Sequence, residues 1–266
     1  MSSINKAISE IFTIEEMANS NQWLNRIHPL VKLALTIGYI ATVVSCDKYQ
    51  IVPLLQLAVY PLVSFIICDY SFKEALYRLR VVLPIVCCVG IFNPFFDRQI
   101  LLSIGGIAIS GGVLSMVSLM IKGILTVLAS YLLVASTPVE KLCYALRMVH
   151  VPKIMVTQLL LIFRYINVLL DEVHRLTQAY SLRAPGQKGV HISAWGSLVG
   201  QLLLRTIDRA DNIYESMCLR GYNGEFYFGK KIGWSIRDLL FLVIWVGVFA
   251  VARLFPVFQM VGSLFR

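Results

Sequence analysis

VLLDEVHRLTQAYSLRAPG at residues 168–186 and LLLRTIDRADNIYESMCLRGYNGE at residues 202–225 decide how the rest of the chain is read. Around the first, Ile166, Leu169, Leu170, Val173, Leu176 and Tyr180 recur at helical spacing, with Asp171, Glu172, Arg175 and Gln178 on the other face. In the second, Ile207, Ala210, Ile213, Tyr214 and Met217 share a side, opposite or beside Arg205, Asp208, Arg209, Asn212 and Glu215. Each amphipathic pattern ends on an arginine set in a small-residue turn. Arg183 stands in Ser181-Leu182-Arg183-Ala184-Pro185-Gly186, and Arg220 in Leu219-Arg220-Gly221. Gly221 reads as a helix C-terminal cap.

Outside this segment the sequence is membrane-grade. The 266 residues are 58% apolar and 15% charged, with mean hydropathy +0.73. Globular chains carry about 45–50% apolar and about 25% charged residues. The class is an all-α polytopic membrane protein. The net charge of +9 belongs to loops beside a membrane and does not indicate nucleic acid. Met1 to Gln22 is polar and mixed in charge, so no cleavable leader is read there and the first span must direct insertion.

About five spans are expected. They run over 33–46, 49–68, 81–96, about 113–135 and about 236–252. The stem of Lys32 is expected to snorkel and lengthen the first, and Pro53 and Pro61 are tolerable inside the second. Ser71–Arg80 reads as a basic loop, and 101–112 as a bent or hairpin-like piece near the outer surface. Thr137, Pro138 and Glu140 read as a capping box with proline at the first helical position. That helix should stop near Val151-Pro152. Half of the 24 basic residues fall between Ser136 and Ser235. The positive-inside rule therefore puts that segment and the N-terminus in the cytoplasm. Three segments result: N-terminal transmembrane helices over 1–136, a cytoplasmic segment over 137–235, and a C-terminal transmembrane helix over 236–266. The location is the cell's plasma (inner) membrane, crossed several times.

No catalytic or metal constellation is visible. His28, His150, His174 and His191 are scattered, with no H-E-x-x-H and no phosphate-binding G-x-x-x-x-G-K-[ST]. The six cysteines form no C-x-x-C pair and read as small buried thiols. No cofactor is expected. Lys122, inside the fourth span, is either a functional intramembrane charge or a lysine that snorkels or pairs with a neighbouring helix.

The two terminal arginines admit two readings. A helix C-terminus favours any cation through its exposed carbonyls. Yet both are arginine, whose planar fork grips a carboxylate at two points, and the small neighbours let a partner approach. Two such anchors would resist sliding and tilting.

The ordered set Asn25-Arg26-Ile27-His28-Pro29-Leu30-Val31-Lys32-Leu33, Asn93-Pro94-Phe95-Phe96-Asp97, Ser136-Thr137-Pro138 through Val151-Pro152, Arg164-Tyr165, Ala194-Trp195-Gly196-Ser197, Leu204-Arg205-Thr206-Ile207-Asp208-Arg209-Ala210 and Met217-Cys218-Leu219-Arg220-Gly221-Tyr222 resembles the transmembrane T component of energy-coupling factor (ECF) transporters. The likeness is greatest to its cobalt-type CbiQ branch. The resemblance implies that 137–235 holds coupling helices, long cytoplasmic helices that cross and end in Ala-Arg-Gly-like motifs. These dock on ABC-type ATPase subunits (CbiO- or EcfA-like) and pass their motion to a separate substrate-binding membrane subunit (CbiM- or S-component-like). Docking carries over to Arg183 and Arg220, with Ala184 and Gly221 beside them. The first motif has Ala184 where the family has glycine. His28 replaces a frequent aspartate, so no role passes to it. Cobalt, nickel or a vitamin stays open as substrate. The alternatives are a self-contained secondary transporter, a conventional ABC permease that binds its own substrate, and an intramembrane enzyme.

Overall fold

The computed structural model describes residues 17–19, 23–49, 51–68, 70, 72–96, 100–104, 107–187, 189–224 and 233–254. Among them the longer elements are helices: α1 (Pro29–Ser45), α2 (Val52–Leu57), α3 (Val59–Cys68), α4 (Phe72–Phe96), α5 (Gly111–Ser136), α6 (Val139–Met148), α7 (Lys153–Arg183), α8 (Ile192–Leu219) and α9 (Ile236–Leu254). A short antiparallel hairpin, β1 (Ile100–Ile104) with β2 (Ile107–Ser110), joins α4 to α5, with Ile104 opposite Ile107. The hairpin-like piece is present, but Gly111 and Gly112 already belong to α5. By length and apolar composition α5 and α7 could cross a membrane, and α1, the α2–α3 pair and Val82–Asn93 are shorter apolar helices.

The helices group into two units. One holds α1 to α5 and α9. Its centre is α1, where Val31, Leu35, Tyr39 and Val43 repeat every fourth residue and are almost wholly buried. That spacing keeps one stripe inward. Leu125, Leu128, Ala129 and Leu132 of α5 and Trp245, Phe249 and Ala252 of α9 belong to the same core. Tyr39, Tyr60 and Phe249 form a ring cluster with centroids 4.9–5.3 Å apart. Between helices in lipid there is little hydrophobic drive, so such packing and hydrogen bonds carry the association.

The expected second span is broken. Pro61 lacks the N–H that would bind the Leu57 carbonyl, and the helix divides at Ala58 into α2 and α3. The Tyr39 hydroxyl donates to that carbonyl at 3.0 Å. The orphaned acceptor is thereby satisfied from α1. The expected basic loop at 71–80 is instead the first part of α4, which begins at Phe72. Lys73, Glu74, Ala75, Leu76 and Arg78 are good helix formers and nothing breaks the run. Gly90 and Gly123 let α4 and α5 approach: a Cβ at Gly90 would meet the Met116 side chain at 3.2 Å, and one at Gly123 the Val86 side chain at 3.2 Å.

Two lysines bind α1 to α5. Lys32 is buried, not snorkelling, and its Nζ donates to the Ser136 carbonyl at the C-terminus of α5, 2.7 Å away. Lys122 of α5 donates to the Cys46 carbonyl at 2.5 Å and reaches that of Val44 at 3.5 Å, at the C-terminus of α1. Of the two readings of Lys122, pairing with a neighbouring helix is the one observed.

The other unit holds α6, α7 and α8. Its first helix starts one residue later than read. Pro138 is the N-cap without a side-chain bond, and the Thr137 hydroxyl lies 3.3 Å from that of Ser136. The capping box therefore does not form. That helix, α6, also ends earlier, at Met148. His150 takes a left-handed φ of 67°, while the N–H groups of His150 and Val151 reach the carbonyls of Arg147 and Leu146. This is a Schellman stop with histidine where glycine is usual.

Candidate docking site

α7 and α8 are long enough to act as levers, with 31 and 28 residues. They meet at Arg205 of α8, which is ion-paired with Glu172 of α7. From there a crevice of about 880 Å³ opens, walled by α7 residues from Leu161 to Glu172 and α8 residues from Arg205 onward to Tyr222. The part of α7 before the ion pair thus faces the part of α8 after it, so the helices run in opposite senses. Their C-terminal arginines therefore lie at opposite ends of the pair. From Glu172 to Arg183 the rise is about 17 Å, and from Arg205 to Arg220 about 23 Å. The two tips are separated by up to roughly 40 Å.

Both arginines are exposed, but their backbones differ. Arg220 is the C-cap of α8. Gly221 follows at φ 83°, its N–H donating to the Cys218 carbonyl at 2.9 Å, and the Tyr222 N–H donates to that of Met217 at 2.9 Å. This is a complete Schellman motif with Gly221 as its left-handed residue, as the sequence indicates. Arg183 is the last helical residue of α7. Ala184 caps it at φ −122° and donates to the Tyr180 carbonyl at 3.0 Å. The left-handed turn comes later, at Gly186, φ 98°. The Tyr180 hydroxyl pins this turn by donating to Gln187 Oε1 at 2.9 Å. With alanine next to the arginine, the left-handed residue of this turn is Gly186, and Arg183 stays exposed.

A second feature went unread in the sequence. Leu182 and Leu219, each directly before its arginine, are 76% and 90% exposed. Single exposed leucines are ordinary. Two at the same position of two matched helix ends are a shared pattern.

Replacing Gly221 by alanine is expected to strain the α8 tip by about 1–2 kcal/mol, because an L-residue resists that φ. Open space surrounds the position, so no clash contributes. Amide exchange of the last α8 turn should quicken by about tenfold, and unchanged exchange would show that the turn tolerates a side chain.

Two of the four histidines cap helix starts. The His28 imidazole caps α1 by accepting from the Leu30 N–H at 3.2 Å, and the His28 backbone N–H donates to Asp238 Oδ1 at 3.1 Å. The imidazole thus does the capping that an aspartate would. His191 caps α8, accepting from the Ser193 N–H at 3.4 Å. Among the described residues no three His, Cys, Asp or Glu side chains gather as a metal site. Of the six cysteines, all free, Cys46, Cys68 and Cys143 are buried, while Cys87 is half-buried and Cys88 and Cys218 are exposed. Burial, then the nearby Glu140 carboxylate, push the Cys143 thiol up, away from the reactive thiolate.

The model of a family described as CbiQ, cobalt transport protein, matches residues 20–228. The chain belongs to the CbiQ family. Membership makes it a membrane component of a transporter and not a catalytic subunit. The energy-coupling factor transporter transmembrane protein EcfT of Leuconostoc gelidum subsp. gasicomitatum is 24% identical over 222 residues, 76% of this chain and 80% of that protein. An uncharacterized protein of Methanocaldococcus jannaschii is 24% identical over 265 residues, 94% of this chain and 88% of the relative. The nickel permease LarQ of Lactiplantibacillus plantarum is 26% identical over 117 residues, 42% of each chain.

Proposed function

We propose that this CbiQ-family chain is the T component of an ECF-type importer. It uses α7 and α8 as cytoplasmic coupling helices whose Arg183 and Arg220 tips, with Ala184 and Gly221, dock on two ABC-type ATPase subunits. A separate membrane subunit binds the substrate, a transition-metal ion of the cobalt or nickel kind. The segment 137–235 then lies in the cytoplasm with the N-terminus, and the helices on either side cross the plasma membrane about five times. One observation carries this reading: two exposed leucine–arginine tips at opposite ends of one antiparallel helix pair. Separation on that scale favours two receptors over one. Although α7 is apolar enough to span, it also carries Arg164, Asp171, Glu172, Arg175 and Arg183, which are costly in lipid. The family and the EcfT relative point the same way, and the LarQ relative keeps nickel beside cobalt.

Affinity purification of the chain from its native membrane tests the reading. ATPase subunits and a second membrane protein should come with it, and the chain alone should bind neither Co²⁺ nor Ni²⁺ tightly. Tight binding and uptake by the isolated, reconstituted chain would establish a self-contained transporter instead. At the tips, Leu182→Asn and Leu219→Asn should each weaken ATPase capture by about tenfold, the loss expected for one buried leucine. That loss should persist in high salt, unlike an arginine's share.

A further inference from the structure

The crevice between α7 and α8 has a lining that docking at the helix tips does not need. At one end Glu172 neutralises Arg205. Beyond that pair the wall holds three exposed arginines, Arg164 of α7 with Arg209 and Arg220 of α8, against the single carboxylate of Asp208. Positive charge is in excess, and arginine prefers phosphate as a two-point partner. The opposite requirement is written into the same wall: Leu161 and Leu169 are apolar and lie on the membrane-grade stretch of α7. Size narrows the choice. The volume of about 880 Å³ suits a small amphiphile, since ligand sites run to about 300–1,000 Å³.

We propose that this crevice binds an anionic phospholipid. Arg164 and Arg209 hold its phosphate, Arg220 lies at the rim, and the first part of its acyl chains lies along Leu161 and Leu169. Basic recesses beside the cytoplasmic leaflet are suited to such headgroups. The site shares Arg220 with the docking tip, but its phosphate partners, Arg164 and Arg209, take no part in docking, so the two readings are tested apart.

The test uses the full chain, purified in detergent and offered equal amounts of phosphatidylglycerol and phosphatidylcholine, with retained lipid read by native mass spectrometry. The wild type should retain phosphatidylglycerol preferentially. Arg164→Gln plus Arg209→Gln should lower that retention by about tenfold or more and leave ATPase capture unchanged. Displacement of the lipid by inorganic phosphate, but not by sodium chloride at the same ionic strength, would identify a free-phosphate site and overturn the lipid assignment. Loss of ATPase capture with phosphatidylglycerol still bound would assign the crevice to an acidic segment of the ATPase, which also overturns it. If the double variant does not fold, the wild type decides: equal retention of the two lipids defeats the proposal, and preferential retention lost at high salt supports it.

Discussion

Arg183→Glu combined with Arg220→Glu is expected to abolish ATP-driven uptake while leaving membrane insertion and helix content intact. Both side chains are exposed at helix ends, so reversing them removes no core packing. Each arginine loses a charge-assisted pair of about 2 kcal/mol, and each new carboxylate adds repulsion against the acidic receptor. Together the change is roughly 5 kcal/mol, a loss of several thousandfold in affinity. The tips are far apart, so the two losses should add. Isolated surface ion pairs are often worth almost nothing, and a lysine pair of variants separates the possibilities. Arg183→Lys with Arg220→Lys keeps the charge but gives up the two-point fork. Intermediate capture marks bidentate docking, whereas wild-type capture marks only long-range attraction. A single reversal should spare part of the ATPase capture but not the uptake, since one tip cannot transmit force alone. The reading fails if the glutamate double variant still captures ATPase as the wild type does.

What the sequence made legible was mostly local. The period of Ile207, Ala210, Ile213 and Met217 located α8, and Gly221 located its end, because a Schellman stop is encoded within six residues. Arg183 and Arg220 could be singled out because the signal, one arginine type in one kind of turn at two helix ends, is again local. Errors arose where distant groups decide the outcome. Pro61 alone does not tell whether a helix kinks or divides; the Tyr39 hydroxyl, waiting for the freed Leu57 carbonyl, belongs to another helix. At Thr137 the local capping box lost to a neighbouring hydroxyl. Lys32 read as a snorkelling residue because its stem suits that role, yet its partner is 104 positions away. The exposure of Leu182 and Leu219 was hidden for a related reason. A leucine on an amphipathic helix looks like core until the packing shows that nothing covers it. The arginine-rich crevice needs two helices in register, and neither helix announces it alone.

Lys32→Met together with Lys122→Met is expected to lower the thermal midpoint of the purified chain by several degrees. The two amines serve opposite ends of one antiparallel pair. Lys32 closes the C-terminus of α5 at Ser136, and Lys122 closes the C-terminus of α1 at Cys46. Helix C-terminal carbonyls have no partner within their helix and carry the negative end of the dipole. In an apolar bundle no water replaces the lost donor. Each removal leaves a carbonyl unsatisfied, at about 1–3 kcal/mol. Methionine fills the volume and avoids burying an ammonium, which offsets part of the loss at Lys32. It does so less at Lys122, which is only half-buried. About 2 kcal/mol at Lys122 corresponds to a fall of roughly 4–8 °C in a chain of this size, and the distant partner should add its own share. The same experiment decides whether Lys122 has a transport role. A capping lysine loses stability first, and uptake per folded molecule is retained. If Lys122→Met instead kept its melting temperature and lost uptake, the amine would belong to the transport path and the clasp would not be its purpose.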